Sequence, residues 1–113
     1  MTTAITSITC PDCGGSIERI EDGNLIQYRC RIGHLYSPQS ALSVHSDREE
    51  NTLWSAVVLL REGAELAEQV ADLVGGDQAD LLRAQAQMKR DLAEHAEQVA
   101  REFPKVSVMR LEE

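Results

Sequence analysis

Two short pairs of metal-binding residue types constrain the fold of this chain more than any other feature. Cys10 and Cys13 are spaced C-x2-C, Cys30 and His34 are spaced C-x3-H, and sixteen residues separate the two pairs. Three thiolates and one imidazole form a ligand set that zinc binds in closed tetrahedral sites. The spacing therefore predicts one structural zinc ion held by these four residues, and the segment between the pairs must double back to bring them together.

The residues between the pairs favour a β-hairpin. Gly14 and Gly15 can adopt the positive φ that a tight turn after C-x2-C requires. Residues 22–24, Asp-Gly-Asn, predict a hairpin turn near the midpoint. Apolar residues at alternate positions from 26 to 32 predict a half-buried strand with Cys30 on its covered side. A further strand is predicted over residues 4–9, which are rich in β-branched side chains.

The strand before the turn, at about residues 16–21, has a less regular pattern. Ile17 and Ile20 have opposite parity, so the sequence predicts either a bulge or one isoleucine that faces outward.

Three other interpretations of the cysteines have less support. A redox-active C-x2-C normally opens a helix, whereas Gly14 and Gly15 follow the motif here. An iron–sulfur cluster usually takes four thiolates, and the chain has three cysteines. If the cysteines were unliganded core residues, the C-x2-C and C-x3-H spacings would have no structural explanation.

The runs CPDCGG, YRCRIGHLYSPQSAL and TLWSAV together resemble a zinc-ribbon-plus-helix module found on the C-terminal side of some chemotaxis-type protein-glutamate methylesterases. The resemblance covers roughly residues 10–74. In that family the module is an accessory, and the esterase chemistry belongs to a separate domain. The resemblance therefore implies a metal-stabilised fold in a signalling context, with Cys10, Cys13, Cys30 and His34 as ligands and without esterase activity.

Composition limits the classes of function. The net charge of −8 argues against broad binding to nucleic acid, because phosphate contacts need a basic surface. An odd number of cysteines favours reduced thiols, and the N-terminus lacks the basic and apolar segments of a secretory signal, so we expect a cytoplasmic protein. No apolar run approaches the length of a membrane span.

Helical patterns fill the second part of the chain. Ser37-Pro38 predicts a helix start, and a capping box at Ser46–Glu49 predicts a second start, so two helices either meet near His45 or merge. A heptad-like seam then follows at Leu53, Val57, Leu60, Ala64, Ala67, Ala71 and Val74.

A second helix of similar length follows a glycine pair. Gly75 is predicted to end the first helix and Asp77 to cap the second, and Pro104 ends it. The minimal turn predicts an antiparallel helical hairpin, with a tail at residues 106–113 that either frays or adds a strand. The predicted apolar stripe of the second helix is Leu81, Gln85, Met88, Leu92, His95, Val99 and Phe103.

These patterns predict an α+β protein: a zinc ribbon over residues 1–36 and a helical hairpin over residues 37–113. A site with four protein ligands leaves zinc no open position, and no catalytic motif is present, so we expect a non-enzymatic interaction module with no catalytic residue. Each helix has more apolar positions than one seam uses, which predicts a homodimer or a helical partner. The alternatives are a redox or zinc sensor, and a zinc ribbon that binds nucleic acid or the ribosome through Arg19, Arg29 and Arg31.

Overall fold

The fold consists of a small antiparallel sheet followed by two helices. The structure is a computed structural model that describes residues 1–104 of the 113. Within this range the chain divides into two compact units, Met1–Arg48 and Glu49–Pro104, and each is described by itself. The order of the elements confirms the predicted α+β class, with a strand region followed by a helical hairpin.

The sheet of the first unit has four strands rather than the two of a simple ribbon. β1 spans Thr2–Thr9, β2 spans Ser16–Asp22, β3 spans Leu25–Cys30 and β4 spans Leu35–Tyr36. Each strand pairs antiparallel with its neighbour in sequence, in the order β1-β2-β3-β4. The predicted first strand and hairpin are confirmed. β4 was not predicted, because two residues are too few to show a period.

β2 buries apolar side chains on both of its faces. Its pairing with β3 is continuous, with Ile17 opposite Cys30 and Ile20 opposite Gln27. Both isoleucines are buried, and Ile17 belongs to a cluster with Cys10 and Cys30. The alternative of an outward isoleucine is therefore wrong, because both side chains are buried. The pairing of β2 with β1 does contain a register shift, between Ile5 and Thr9, so the irregularity of the predicted pattern lies in that pairing.

α1 is one uninterrupted helix from Pro38 to Val74. Its start is as predicted, since the backbone N–H of Ser40 donates to Ser37 Oγ at 3.1 Å and satisfies one of the unpaired donors of the first turn. The predicted alternative in which the two helices merge is confirmed, and a separate helix start at Ser46 is wrong. Ser46 lies in the interior of this helix and is buried, so it does not act as an N-cap.

Alanines form the interface between α1 and α2, which spans Gly76–Arg101. Residues seven apart lie on one side of a helix, and the buried residues of both helices follow this spacing. Alanine has a single methyl group, so two alanine rows let the helix backbones approach closely. The buried rows are Val57, Ala64 and Ala71 on α1, and Ala79, Ala86, Ala93 and Ala100 on α2.

The predicted seam is right for α1 and wrong for α2. Val57, Ala64, Ala67 and Ala71 are buried as predicted, although Val74 at the end of the seam is exposed. On α2 the large apolar residues of the predicted stripe are instead exposed, and the alanine row beside them is buried. The prediction favoured large side chains, whereas close packing of two helices favours small ones.

One face of the hairpin carries ion pairs between the helices. On this face Arg101 also lies over the ring of Trp54, at 5.6 Å from its centroid. We call this surface the ion-pair face. Its interhelical pairs include Arg61–Glu97 at 2.8 Å, Arg90–Glu68 at 2.8 Å and Arg83–Asp72 at 3.0 Å.

The opposite face of the hairpin is apolar. An α-helix has 3.6 residues per turn, and the positions on the side of the buried rows away from the ion pairs carry mostly aliphatic side chains, with Gln85, Lys89 and His95 among them on α2. We call this surface the apolar face. Its large residues are Leu53, Leu59, Leu60, Leu66, Val70 and Leu73 on α1, and Leu81, Leu82, Met88, Leu92 and Val99 on α2.

The connection between the helices is a glycine pair. Gly75 has a φ of 66° and its N–H donates to Ala71 O at 3.1 Å, which confirms the predicted helix end. The prediction of Asp77 as the cap of α2 is wrong: Gly75 is the cap residue and Asp77 lies in the first turn. The predicted tail at residues 106–113 lies outside the described residues. Neither helix within residues 1–104 has the length and apolar composition of a membrane span.

Candidate metal centre

The first ligand loop joins β1 to β2 and holds Cys10 and Cys13. The N–H of Cys10 donates to Gly15 O at 2.7 Å, and the N–H of Gly14 donates to Cys10 O at 2.8 Å. Gly14 has a φ of 75°, as the tight turn requires, whereas Gly15 does not adopt the predicted positive φ. The two hydrogen bonds close the loop and fix the separation of the two sulfurs.

The second ligand loop joins β3 to β4 and holds Cys30 and His34. The N–H of Cys30 donates to His34 O at 3.1 Å, and the N–H of Gly33 donates to Cys30 O at 3.1 Å. Gly33 turns the chain with a φ of 111°. Because β3 ends at Cys30, the predicted alternation ends there as well, and Ile32 is exposed rather than covered.

The two loops bring all four predicted ligands together. One donor atom from each of Cys10, Cys13, Cys30 and His34 lies within 4.8 Å of the other three. The Sγ atoms of Cys13 and Cys30 are 3.7 Å apart, and His34 Nδ1 is 3.2 Å from Cys30 Sγ and 3.6 Å from Cys10 Sγ. In a tetrahedral site with Zn–S bonds of about 2.3 Å, two sulfurs are separated by roughly 3.8 Å. The donor types and separations therefore fit a tetrahedral metal ion such as zinc.

The cluster lies in the core of the first unit. Cys10 and Cys30 are buried together with Ile17, and Tyr28 and Tyr36 pack against them. Cys13 is exposed, and all three cysteines are free thiols. Apolar neighbours on one side and an exposed ligand on the other place the site at the edge of a small core.

The backbone of the loops favours thiolate at two of the three cysteines. Burial raises the pKa of the Cys30 thiol, but backbone N–H groups, with that of His34 foremost, outweigh burial and lower the pKa to about 7. The same opposition of burial and backbone donors lowers the pKa of Cys10. At Cys13 the N–H of Gly15 lowers the pKa of the thiol, but partial desolvation and the neighbouring sulfurs of Cys30 and Cys10 outweigh it, so the pKa is raised. Thiolate is the form that binds metal, so the backbone of the loops favours metal binding at Cys10 and Cys30.

Tyr36 and Asp12 connect the two ligand loops next to the sulfur of Cys10. The hydroxyl of Tyr36 donates to Asp12 Oδ2, and its oxygen lies 3.7 Å from Cys10 Sγ. The hydrogen bond to Asp12 raises the pKa of Tyr36, and burial adds to this effect. Sequence reasoning missed both residues. The available signal was their position, since Asp12 lies between the paired cysteines and Tyr36 follows His34 by two residues.

Removal of the Tyr36 hydroxyl is expected to weaken metal binding. Groups that hold metal ligands in place typically contribute 10–100-fold to affinity. We expect Tyr36→Phe to lower zinc affinity about 10-fold or more, because Asp12 loses its link to β4. Competition with a chromophoric chelator measures the affinity. Tyr28→Phe is the matched control, since Tyr28 packs against the same cluster on the neighbouring strand. Equal affinity of the two variants would contradict the role of Tyr36.

The three arginines of the alternative nucleic-acid interpretation are accompanied by carboxylates. Arg19 pairs with Glu21 at 2.7 Å. Arg29 lies opposite Glu18 in the β2–β3 pairing, and Arg29 and Arg31 line a shallow cavity with Glu18. The arginines therefore do not form an uninterrupted basic surface.

Comparisons of the chain with models of known protein families, with curated proteins and with solved structures found no match.

Proposed function

We propose that this protein is a zinc-stabilised module that binds another protein chain through its helical hairpin. The convergence of Cys10, Cys13, Cys30 and His34 within 4.8 Å is the observation that supports this proposal most strongly. The metal is a structural clamp on the sheet, and the hairpin supplies the binding surface. The second role is supported by the apolar face, since contiguous exposed apolar residues usually mark an interaction site.

Zinc is the metal of this proposal because of the donor set. Thiolates are soft ligands that select zinc over magnesium or calcium, which prefer oxygen. The donor separations suit a tetrahedral ion, the geometry that zinc adopts in structural sites. Because a catalytic zinc keeps one position for water, four protein ligands favour a structural ion and a non-enzymatic protein.

The proposal also concerns the cellular compartment of the protein and the process in which it acts. Three free cysteines at the centre must stay reduced to bind metal, which favours a reducing compartment such as the cytoplasm. The resemblance to modules of chemotaxis-type methylesterases supports a role in signalling. In that role the hairpin would dock the protein onto a component of a larger assembly.

Metal analysis of protein purified without added zinc tests the proposal. We expect one zinc ion per chain, and loss of most of the zinc in Cys30→Ser and His34→Ala, since each change removes one of the four donors. The exposed cavity-lining residue Arg31 supplies a control, because Arg31→Ala removes a neighbouring side chain and no donor. Zinc retained in full by both ligand variants would refute the site.

A further inference from the structure

We propose that the apolar face of the hairpin binds the apolar face of a second copy of this chain, which forms a four-helix bundle. This inference rests on the proposed function and names its partner. Both helices contribute to the surface, so that two hairpins stack as two layers rather than meet at their edges. Domains are built from two or more packed layers, and the hairpin by itself is a single layer.

The apolar face carries large side chains that the interface between α1 and α2 leaves uncovered. On α1, Leu59, Leu66 and Leu73 are spaced by seven and are 66%, 61% and 84% exposed. On α2, Leu81, Met88 and Leu92 are exposed to a similar degree. Since residues seven apart share one side of a helix, these side chains form continuous rows along both helices.

The fully buried residues inside the hairpin are almost all small. They are Val57 and a set of alanines, each of which buries little more than one methyl group. The larger side chains beside them are half-buried at best, and the Leu59, Leu66 and Leu73 row stays mostly exposed. A cover on the apolar face would bury large side chains that the interface between the two helices leaves exposed.

The size of the face fits a homodimer. A large aliphatic side chain offers roughly 100 Å² of apolar area, so the exposed and half-buried residues of this face offer on the order of 500 Å². A standard interface takes roughly 800 Å² from each partner, and about 65% of a homodimer interface is apolar. The exposed apolar area of one copy is therefore close to the apolar area that one subunit contributes to a homodimer interface of standard size.

The distribution of charge favours a second copy as the cover. On the α1 half of the face, Glu62 is the charged residue that borders the row of Leu59 and Leu66, and it is acidic. The α2 half carries Lys89, whose side chain occupies the space beside Gly63 that a Cβ there would contact, and His95, seven residues after Met88. A two-fold axis that sets α1 of one copy over α2 of its partner places each Lys89 opposite a half that is aliphatic or acidic, so that the two lysines do not meet. A second copy is also available wherever the chain is expressed, so a homodimer covers the apolar face without another protein.

Sedimentation equilibrium of the full chain over a dilution series, with zinc analysis in parallel, tests the inference. We expect a mass of about 25 kDa, twice the 12.5 kDa of the chain. We expect Leu92→Glu to raise the dissociation constant at least about 10-fold, because it introduces a carboxylate into the apolar face. Val58→Glu is the control: Val58 is 54% exposed, as Leu92 is, and it lies one turn from both Trp54 and Arg61 of the ion-pair face, so the dimer should persist.

The outcomes separate this inference from the proposed function. A melting temperature that rises with the concentration of the unmodified chain supports the dimer even if Leu92→Glu fails to fold. A mass of 12.5 kDa at every concentration overturns the second copy, and the proposed zinc module then stands if the zinc content is one per chain. An unchanged dimer in Leu92→Glu, or dissociation by Val58→Glu to the same extent, overturns the choice of face. Absence of zinc refutes the proposed function and leaves the dimer to be judged on mass alone.

Discussion

Removal of the metal is expected to unfold the first unit, Met1–Arg48, and to leave most of the helical structure of Glu49–Pro104 in place. The buried cluster of the first unit contains Cys10, Ile17 and Cys30, so two of its three residues are proposed metal ligands. Structural zinc contributes about 10–16 kcal/mol in zinc-finger peptides, which equals or exceeds the total stability of about 5–15 kcal/mol of small domains. Without the ion, the buried cluster would keep Ile17 and two unliganded thiols, which contribute much less to stability than metal binding does.

Hydrogen exchange with and without a strong chelator measures this effect residue by residue. Amides of β2 and β3 should lose their protection when the metal is removed, and amides of α2 should keep theirs. Far-ultraviolet circular dichroism should retain most of its helical signal, since the buried alanine rows lie in the second unit. Simultaneous loss of protection in β2 and α2 would show instead that the two units unfold as one.

Enlargement of one alanine at the helix interface is expected to destabilise the hairpin strongly. Ala86 is 0% exposed and packs against Ala64 and Ala67 of α1. Three additional carbon atoms at this position must push the backbones apart along the whole interface. Overpacking of a core typically costs about 1–3 kcal/mol, and a domain of this size loses about 4–8 °C of melting temperature per kcal/mol.

Thermal unfolding of Ala86→Leu and Ala84→Leu compares a buried with an exposed alanine on the same helix. We expect Ala86→Leu to melt about 10–20 °C below the unmodified chain. Ala84 is exposed two residues away, so Ala84→Leu should change the melting temperature by only a few degrees. Similar melting temperatures for the two variants would show that the alanine rows do not form a tight interface.

The sequence was sufficient to predict the metal cluster because its signal is local and chemical. C-x2-C and C-x3-H each bring two donors together within one loop, and the glycine of each loop, Gly14 or Gly33, provides the turn. The hairpin between the loops then brings the pairs together. The link from Tyr36 to Asp12 was beyond such reasoning, because it depends on β4, a strand of two residues that exists only through its pairing with β3.

The sequence was misleading for the second helix because two periodic patterns compete there. Large residues at Leu81, Met88 and Leu92 and small residues at Ala79 and Ala86 have the same helical spacing. Hydrophobicity alone favours the large set for the buried side. The structure buries the alanines, because they let the helices approach closely, and it leaves the large set for the apolar face.

X-ray absorption spectroscopy at the zinc edge of the purified chain is the most direct test of the central claim, a zinc ion held by three cysteines and one histidine. The donor set predicts three sulfur neighbours at about 2.3 Å and one nitrogen neighbour at about 2.0–2.1 Å. Cys13→Ser should reduce the sulfur count to two in any zinc that remains bound. A zinc ion surrounded only by oxygen and nitrogen, or a purified chain without zinc, would contradict the account.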